Sequence, residues 1–158
     1  MININEMFMQ EAIKEAKKAS DIDEVPIGAV VVFENKIIAR GYNQVETLKD
    51  PTAHAEMIAL TSATNYLSSK WLQECSLYVT IEPCSMCAGA LVLARINKVC
   101  FGAWDPKAGA CGSIINIANH KALNHRFDIQ ADILSEPCAN LLIEFFKKKR
   151  KKEIIDTN

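Results

Sequence analysis

The sequence predicts an α/β fold: a three-layer domain in which helices cover both faces of a mixed five-stranded sheet. Two observations lead there. Helix-period segments alternate with short β segments from one end of the chain to the other, the pattern that places helices against a sheet. No internal repeat and no Pro/Gly/Ser-rich linker interrupts them in 158 residues, a length that suits one compact domain able to bury a core without disulfide staples. The expected domain therefore spans 1–158.

The first helix shows Phe8, Met9, Ala12, Ile13 and Ala16 at helical spacing and stops at Ser20 and Asp21. IGAVVVF and KIIARGY follow as two strands around Glu34 and Asn35, a short loop with an asparagine able to take positive φ. A second helix is expected from Thr52 to about Tyr66, capped by Asp50 or Thr52. SLYVTI reads as the third strand, and CSMCAGALVLA directly after it as a buried helix. NKVCFGAW is a fourth strand, WDPKAGACGS a glycine-bearing loop, and FDIQADI a fifth strand. ANLLIEFFKKKR closes the chain as an amphipathic helix with a basic tail, from about residue 140. In sheets of this kind, sites gather where strand ends meet helix starts.

Hydrophobic residues make up 49% of the chain and the mean hydropathy is +0.03, values of a globular rather than a disordered sequence. The longest apolar runs, IGAVVVF and MCAGALVLA, fall far short of the roughly 18 residues of a membrane-spanning helix. The N-terminal MININEMFMQEAIKEAKKAS has glutamates where a secretory peptide needs an apolar core. A cytoplasmic protein without membrane association is expected. In that reducing setting, six cysteines suggest metal binding or buried thiols more than a disulfide framework. The formal net charge is −1, but six of the 18 Lys and Arg lie in one run, Lys147 to Lys152; the other 12 face 19 acids, leaving a body near −7. Cations gathered at one end of an acidic domain form an electrostatic footprint for nucleic acid. The same run also suits a solubilising helix end, where the dipole favours lysine.

Two junctions carry candidate chemistry. In VTIEPCSMC, Pro83 marks the break between strand and helix, and Cys84 and Cys87, three apart, fall on one helical face. Free N–H groups and the positive dipole end in a first turn favour thiolate, the form that binds zinc. Redox proteins also place CxxC at such a junction, so the pair alone leaves both readings open. The other junction, DPTAHAE, sets His54 and Glu56 in or beside the first turn of the second helix. Residues two apart diverge by roughly 200° inside a helix, but at its end both can reach past the terminus to one point. His54, Cys84 and Cys87 then give three protein ligands for one zinc ion, with a fourth position left for water, the arrangement of catalytic rather than structural zinc. Glu56 beside the ion suits a proton carrier between that water and a substrate nitrogen. On its own His54 reads as a capping or core residue and Glu56 as a solvated first-turn acid; their joint occurrence with the cysteine pair selects the metal reading. Cys75, Cys100, Cys111 and Cys138 have no paired spacing and read as small buried hydrophobes.

HAE with PCxxC resembles the signature of the zinc-dependent cytidine and adenosine deaminases. Within that group, EVPIGAVVV, DPTAHAE, LYVTIEPCSMCAGALVLARI, VCFGAWDPKAGACGS and LNHRFDI, followed by an aromatic and basic terminal helix, make the chain similar to the bacterial tRNA-specific adenosine deaminases over nearly its whole length. The resemblance implies a cytidine-deaminase-like α/β/α fold, one Zn2+ per subunit and a homodimer. It implies hydrolytic deamination of adenosine to inosine at the wobble position of a tRNA anticodon loop. Glu56 would shuttle the protons, Asn43 would contact the flipped nucleotide, and the backbone N–H of Ala55 would hold the base edge. Asp105, Lys107, His125 and Arg126 are the further positions it points to for RNA, with the KKKRKK run available to loop phosphates. An unpaired loop base costs less to extrude than one in a duplex, which suits an anticodon stem-loop as the partner. Phe145 and Phe146 fit either the apolar stripe of the closing helix or a place near a base. Trp104 departs from the family pattern, where a charged or small residue is common; surface packing and a strand-end anchor are its other readings.

Three alternatives stay open. A guanine deaminase shares HAE and PCxMC and acts on a free base, which leaves the basic run and LNHR without a purpose. A thioredoxin-like redox protein accounts for CxxC but not for His54 or Glu56. A zinc-stabilised RNA-binding module without catalysis would tolerate the loss of Glu56.

Overall fold

The structure, a computed structural model, describes residues 3–158. Ile4–Asp21 forms α1, opened by Asn3, whose side chain accepts the Glu6 N–H. Gly28–Phe33 (β1) and Lys36–Tyr42 (β2) pair as an antiparallel hairpin. Its two loop residues, Glu34 and Asn35, take left-handed φ of 50° and 60°, the geometry whose twist matches that of the strands. A four-residue helix, α2 (Val45–Leu48), not anticipated from the sequence, follows β2. On its other side β1 pairs antiparallel with β3 (Cys75–Ile81), which runs parallel to β4 (Lys98–Ala103), itself parallel to β5 (Asp128–Gln130). The sheet order is β2-β1-β3-β4-β5, mixed and five-stranded as expected.

Side-chain alternation sorts the core into two halves. Ala29, Val31, Leu77, Val79, Val99 and Phe101 point to one face, where Ala59 and Ala63 of α3 (Ala55–Leu67) and Ala88 and Leu91 of α4 (Ser85–Leu93) cover them. Val30, Val32, Tyr78 and Cys100 point to the other, against Met9 and Ala12 of α1 and Cys138 of α5 (Ser135–Asp156). That period of two, on strands covered from both sides, makes the three layers. Cys75, Cys100, Cys111 and Cys138 are free and buried, and burial pushes the thiols of Cys111 and Cys138 up to about 12. No helix among the described residues is long and apolar enough to cross a membrane.

Several element ends differ from the sequence expectation. α3 starts at Ala55 and not at Thr52, because the Asp50 carboxylate accepts the N–H and hydroxyl of Thr52 at 2.8 and 2.7 Å and holds that segment as a turn. Neither Asp50 nor Thr52 therefore caps the helix. β5 ends at Gln130 rather than Ile133, since Asp132 and Leu134 take left-handed φ of 63° and 53° and turn the chain into α5 at Ser135. α5 begins earlier than expected and reaches Asp156, so it carries the whole lysine run.

One close approach positions the site. A Cβ on Gly41 of β2 would stand 2.5 Å from the Ala55 carbonyl oxygen and 2.8 Å from the Ala59 nitrogen. Only glycine lets α3 lie this near the strand, and α3 begins directly after His54.

Candidate metal centre

His54 and Cys84 occupy equivalent places. Each is the residue just before a helix, His54 before α3 with φ −74° and ψ 153°, Cys84 before α4 with φ −75° and ψ 176°, and neither supplies the side-chain oxygen of an ordinary helix cap. Such positions usually carry Ser, Thr, Asp or Asn, whose oxygens satisfy free N–H groups. Here the two side chains turn towards each other instead. With extended dihedrals, His54 escapes the divergence that separates helical residues two apart. Cys87, the third residue of α4, is fully buried. Its Sγ lies 3.5 Å from His54 Nδ1, and Cys84 Sγ lies 3.6 Å from the same nitrogen. The three donor atoms all lie within 4.8 Å of one another. In a tetrahedral site with bonds of about 2.3 Å to sulfur and about 2.0 Å to nitrogen, sulfur and nitrogen stand about 3.5 Å apart. Donor set and spacing thus fit zinc, and the two thiols are not bridged to each other.

The electrostatics agree with the geometry. A hydrogen bond from Cys87 and, against the cost of burial, one from His54 draw the Cys84 thiol down to about 4. The Cys87 thiol is pushed up, because it donates to Cys84 and lies buried. His54 is raised by its hydrogen bond to Cys84. The N-termini of α3 and α4 meet at this point, and their free N–H groups favour negative charge there. Glu56 is 3% exposed, and burial pushes its carboxyl up to about 7, with a hydrogen bond from Cys87 among the opposing pulls. A cation held by the three ligands would draw it down again.

A cavity of about 270 Å³ reaches this centre, lined by His54, Ala55, Asn43, Glu24 and Lys149 among others. As the first residue of α3, Ala55 has an N–H without an intrahelical acceptor. Asn43 is buried and donates its amide to the Val25 carbonyl at 3.4 Å. The buried Glu24 accepts the N–H groups of Glu46 and Thr47 at 3.0 and 2.8 Å and so holds α2 beside the cavity. Lys149 brings the basic run of α5 to the same opening.

The other predicted RNA positions stand elsewhere. His125 is engaged through Nε2 with the Ile96 carbonyl at 2.6 Å. Arg126 donates to the Lys121 carbonyl at 3.2 Å and lines a separate cavity of about 610 Å³ with Trp104 and Asn116. Trp104 is a strand-end anchor: its indole N–H donates to Asp132 at 3.1 Å and its ring sits edge-on to Phe101 at 4.9 Å. Asp105 accepts the N–H groups of Lys107 and Ala108 at 3.0 and 3.2 Å, while the Lys107 side chain is exposed. Phe145 is buried at the end of the apolar stripe of α5, and Phe146 faces out.

Two buried carboxylates, Glu24 and Glu82, carry no role in the sequence reading. Burial works against the charge of Glu82, yet the Ser113 hydroxyl and three backbone N–H groups hold its carboxyl below the ordinary range. The available signal was an acid at the end of an apolar strand, directly before Pro83.

A family model described as MafB19-like deaminase matches residues 2–150. The tRNA-specific adenosine deaminase of Aquifex aeolicus is 51% identical over 145 residues, which cover 92% of this chain and 95% of that protein. A solved structure from work on A-to-I editing by tRNA:A34 deaminases at the wobble position of transfer RNA superposes with a TM-score of 0.83, at 40% identity, over 86% of this chain and 99% of that one. The structure of a guanine deaminase from Bacillus subtilis superposes with a TM-score of 0.62, at 39% identity, over 68% of this chain and 69% of that one.

Proposed function

The chain belongs to the MafB19-like deaminase family, among the tRNA-specific adenosine deaminases, and on that premise we propose that it hydrolyses the wobble adenosine of a tRNA anticodon loop to inosine, releasing ammonia. The observation that carries this is the meeting of His54 Nδ1 with two thiols from a separate segment, at 3.5 and 3.6 Å, beside the buried carboxyl of Glu56. His54, Cys84 and Cys87 would hold one zinc ion per subunit. Zinc in such a site supplies an acidified water for hydrolysis. Glu56, buried beside the three ligands, is placed to take a proton there and give it to the substrate.

Asn43 and the Ala55 N–H share the cavity with His54, and together they offer a base edge both donors and an acceptor. A base can enter only by leaving its stack, which a loop nucleotide does at less cost than a paired one. Lys149 at that cavity, with Lys148 and Lys152 beside it on α5, supplies cations for the flanking phosphates. Asp105, Lys107 and Arg126 would meet RNA further along, on a surface that His125 supports through Ile96. The working unit would be a cytoplasmic homodimer, each chain a single deaminase domain over 1–158 with its basic run on α5.

The test is to load the purified protein with zinc, incubate it with anticodon stem-loops and read inosine by sequencing. Glu56→Ala should keep its zinc and give none. The likeness to a guanine deaminase supports a second reading, on free purine. Ammonia released from guanine, with no inosine in any stem-loop, would put that reading in place of the first.

A further inference from the structure

We propose that Glu82 is a positioning residue for RNA, which holds the 105–113 loop at a set place beside the metal ligands; this rests on the function proposed above. Glu82 directly follows β3, on the short segment that leads into Cys84, and it is 1% exposed. Every hydrogen bond its carboxylate accepts comes from one loop. Oε1 accepts the Asp105 N–H at 3.0 Å and the Ser113 hydroxyl, and Oε2 accepts the N–H groups of Cys111 and Ser113 at 3.0 and 3.1 Å. A buried carboxylate is costly unless its lone pairs are filled, and charge-assisted bonds of this kind are among the strong ones. The long connection from β4 to β5 that contains the loop has no helix or strand of its own apart from isolated bridges, so side-chain bonds such as these, with the backbone bond of Ala110 to Pro83, fix its place.

The same loop also touches the metal side. Ala110 donates its N–H to the Pro83 carbonyl at 2.8 Å, and Gly109 pairs with Cys84 as an isolated bridge. A Cβ on Gly109 would stand 2.2 Å from Glu82 Oε1, so only glycine admits the carboxylate at that point. One side chain thereby ties the segment that carries Cys84 to the loop that carries Asp105 and Lys107. With Ala110 still bonded to Pro83, loosening the Asp105 and Ser113 ends of the loop alters how RNA is gripped and leaves Cys84 where Pro83 holds it.

Glu82→Gln keeps the shape of the side chain but turns one oxygen into a donor. At the Oε1 position that amide leaves the Asp105 N–H without an acceptor; at Oε2 it strands both Cys111 and Ser113. Gly109→Ala disturbs the same junction from the loop side and serves if Glu82→Gln folds poorly. For each variant, zinc content, hydrogen exchange of the loop amides without RNA, and steady-state kinetics on an anticodon stem-loop are measured. We expect one zinc per chain, exchange at Asp105, Cys111 and Ser113 faster by about tenfold, and KM raised about tenfold with kcat within about threefold of wild type. Exchange and KM unchanged in both variants would overturn the proposal, as would loss of zinc from both or a fall in kcat alone. Faster exchange combined with no inosine from the wild type would overturn the proposed function, and with it the RNA half of this inference.

Discussion

Replacing Gly41 by Ala attacks the metal centre from beneath α3. The new Cβ would lie 2.5 Å from the Ala55 carbonyl oxygen, 2.8 Å from the Ala59 nitrogen and 3.2 Å from the Ile58 Cβ, where ordinary contact begins near 3.4 Å. The two nearest atoms are backbone, so no change of rotamer relieves the overlap. α3 must then lift from β2 by about 1 Å, an overpacking that typically costs about 1–3 kcal/mol. His54 directly precedes that helix, whereas Cys84 and Cys87 lie at the start of α4, which does not touch β2. A lift of this size spoils a nitrogen–sulfur spacing of 3.5 Å, since metal bonds tolerate only about 0.2 Å. Misplacing catalytic groups by about 1 Å costs about 10²-fold in rate. Urea unfolding, zinc stoichiometry and inosine formation on a stem-loop are the assays. We expect a lower midpoint, less than one zinc per chain and turnover down by about 10²-fold. A Gly41→Ala protein that unfolds, loads zinc and deaminates like the wild type would refute the claim that this close approach places His54.

Glu56→Gln removes the proton carrier but no ligand, so zinc stays bound while turnover falls by about 10²-fold or more; loss of zinc in step with activity would make Glu56 a ligand instead. In zinc-free protein the same change acts on stability. Burial raises Glu56 from its ordinary 4.5 to about 7, and an acid raised on folding stabilises the fold below its unfolded value and loses that contribution as pH climbs through the folded one. The wild type should therefore weaken between about pH 4.5 and 7 relative to Glu56→Gln, by at most about 3 kcal/mol. Denaturant midpoints across that window check it, and a gap that does not move with pH contradicts it. Chelation should lower the melting temperature of the wild type and leave that of His54→Ala unchanged; equal responses would show that the stabilising ion sits elsewhere. With Lys148, Lys149 and Lys152 changed together to Ala, the fall of RNA affinity with salt should become shallower by about 0.7 in log–log slope for each phosphate left without its lysine. An unaltered slope would remove α5 from the RNA surface.

The strands were legible because their signal is local and repeated. In β1, Val30 and Val32 serve one core and Ala29 and Val31 the other, which reads as a short unbroken apolar run. His54, Cys84 and Cys87, with Glu56, could be singled out because HAE and PCxxC each open a helix, and their joint occurrence calls for a shared cause. Element ends were less legible, since single contacts decide them. The Asp50 grip on Thr52 delays α3, and the left-handed Leu134 starts α5 early. Glu82 escaped notice because its partners lie 23 to 31 residues further along the chain, and the need for glycine at position 41 exists only once α3 lies across it. His125 has the chemistry of an RNA-binding side chain, but a tertiary contact with Ile96 occupies it.

The pair of unsealed helix starts has a cost outside catalysis. A newly made chain meets that deficit before any ion arrives, and an ion held by His54, Cys84 and Cys87 would then act as a rivet through both helices at once. Under metal scarcity an open rivet hole would be visible to proteases as well as to substrate. Cellular abundance of the protein, and not only its rate per molecule, should follow the supply of the metal.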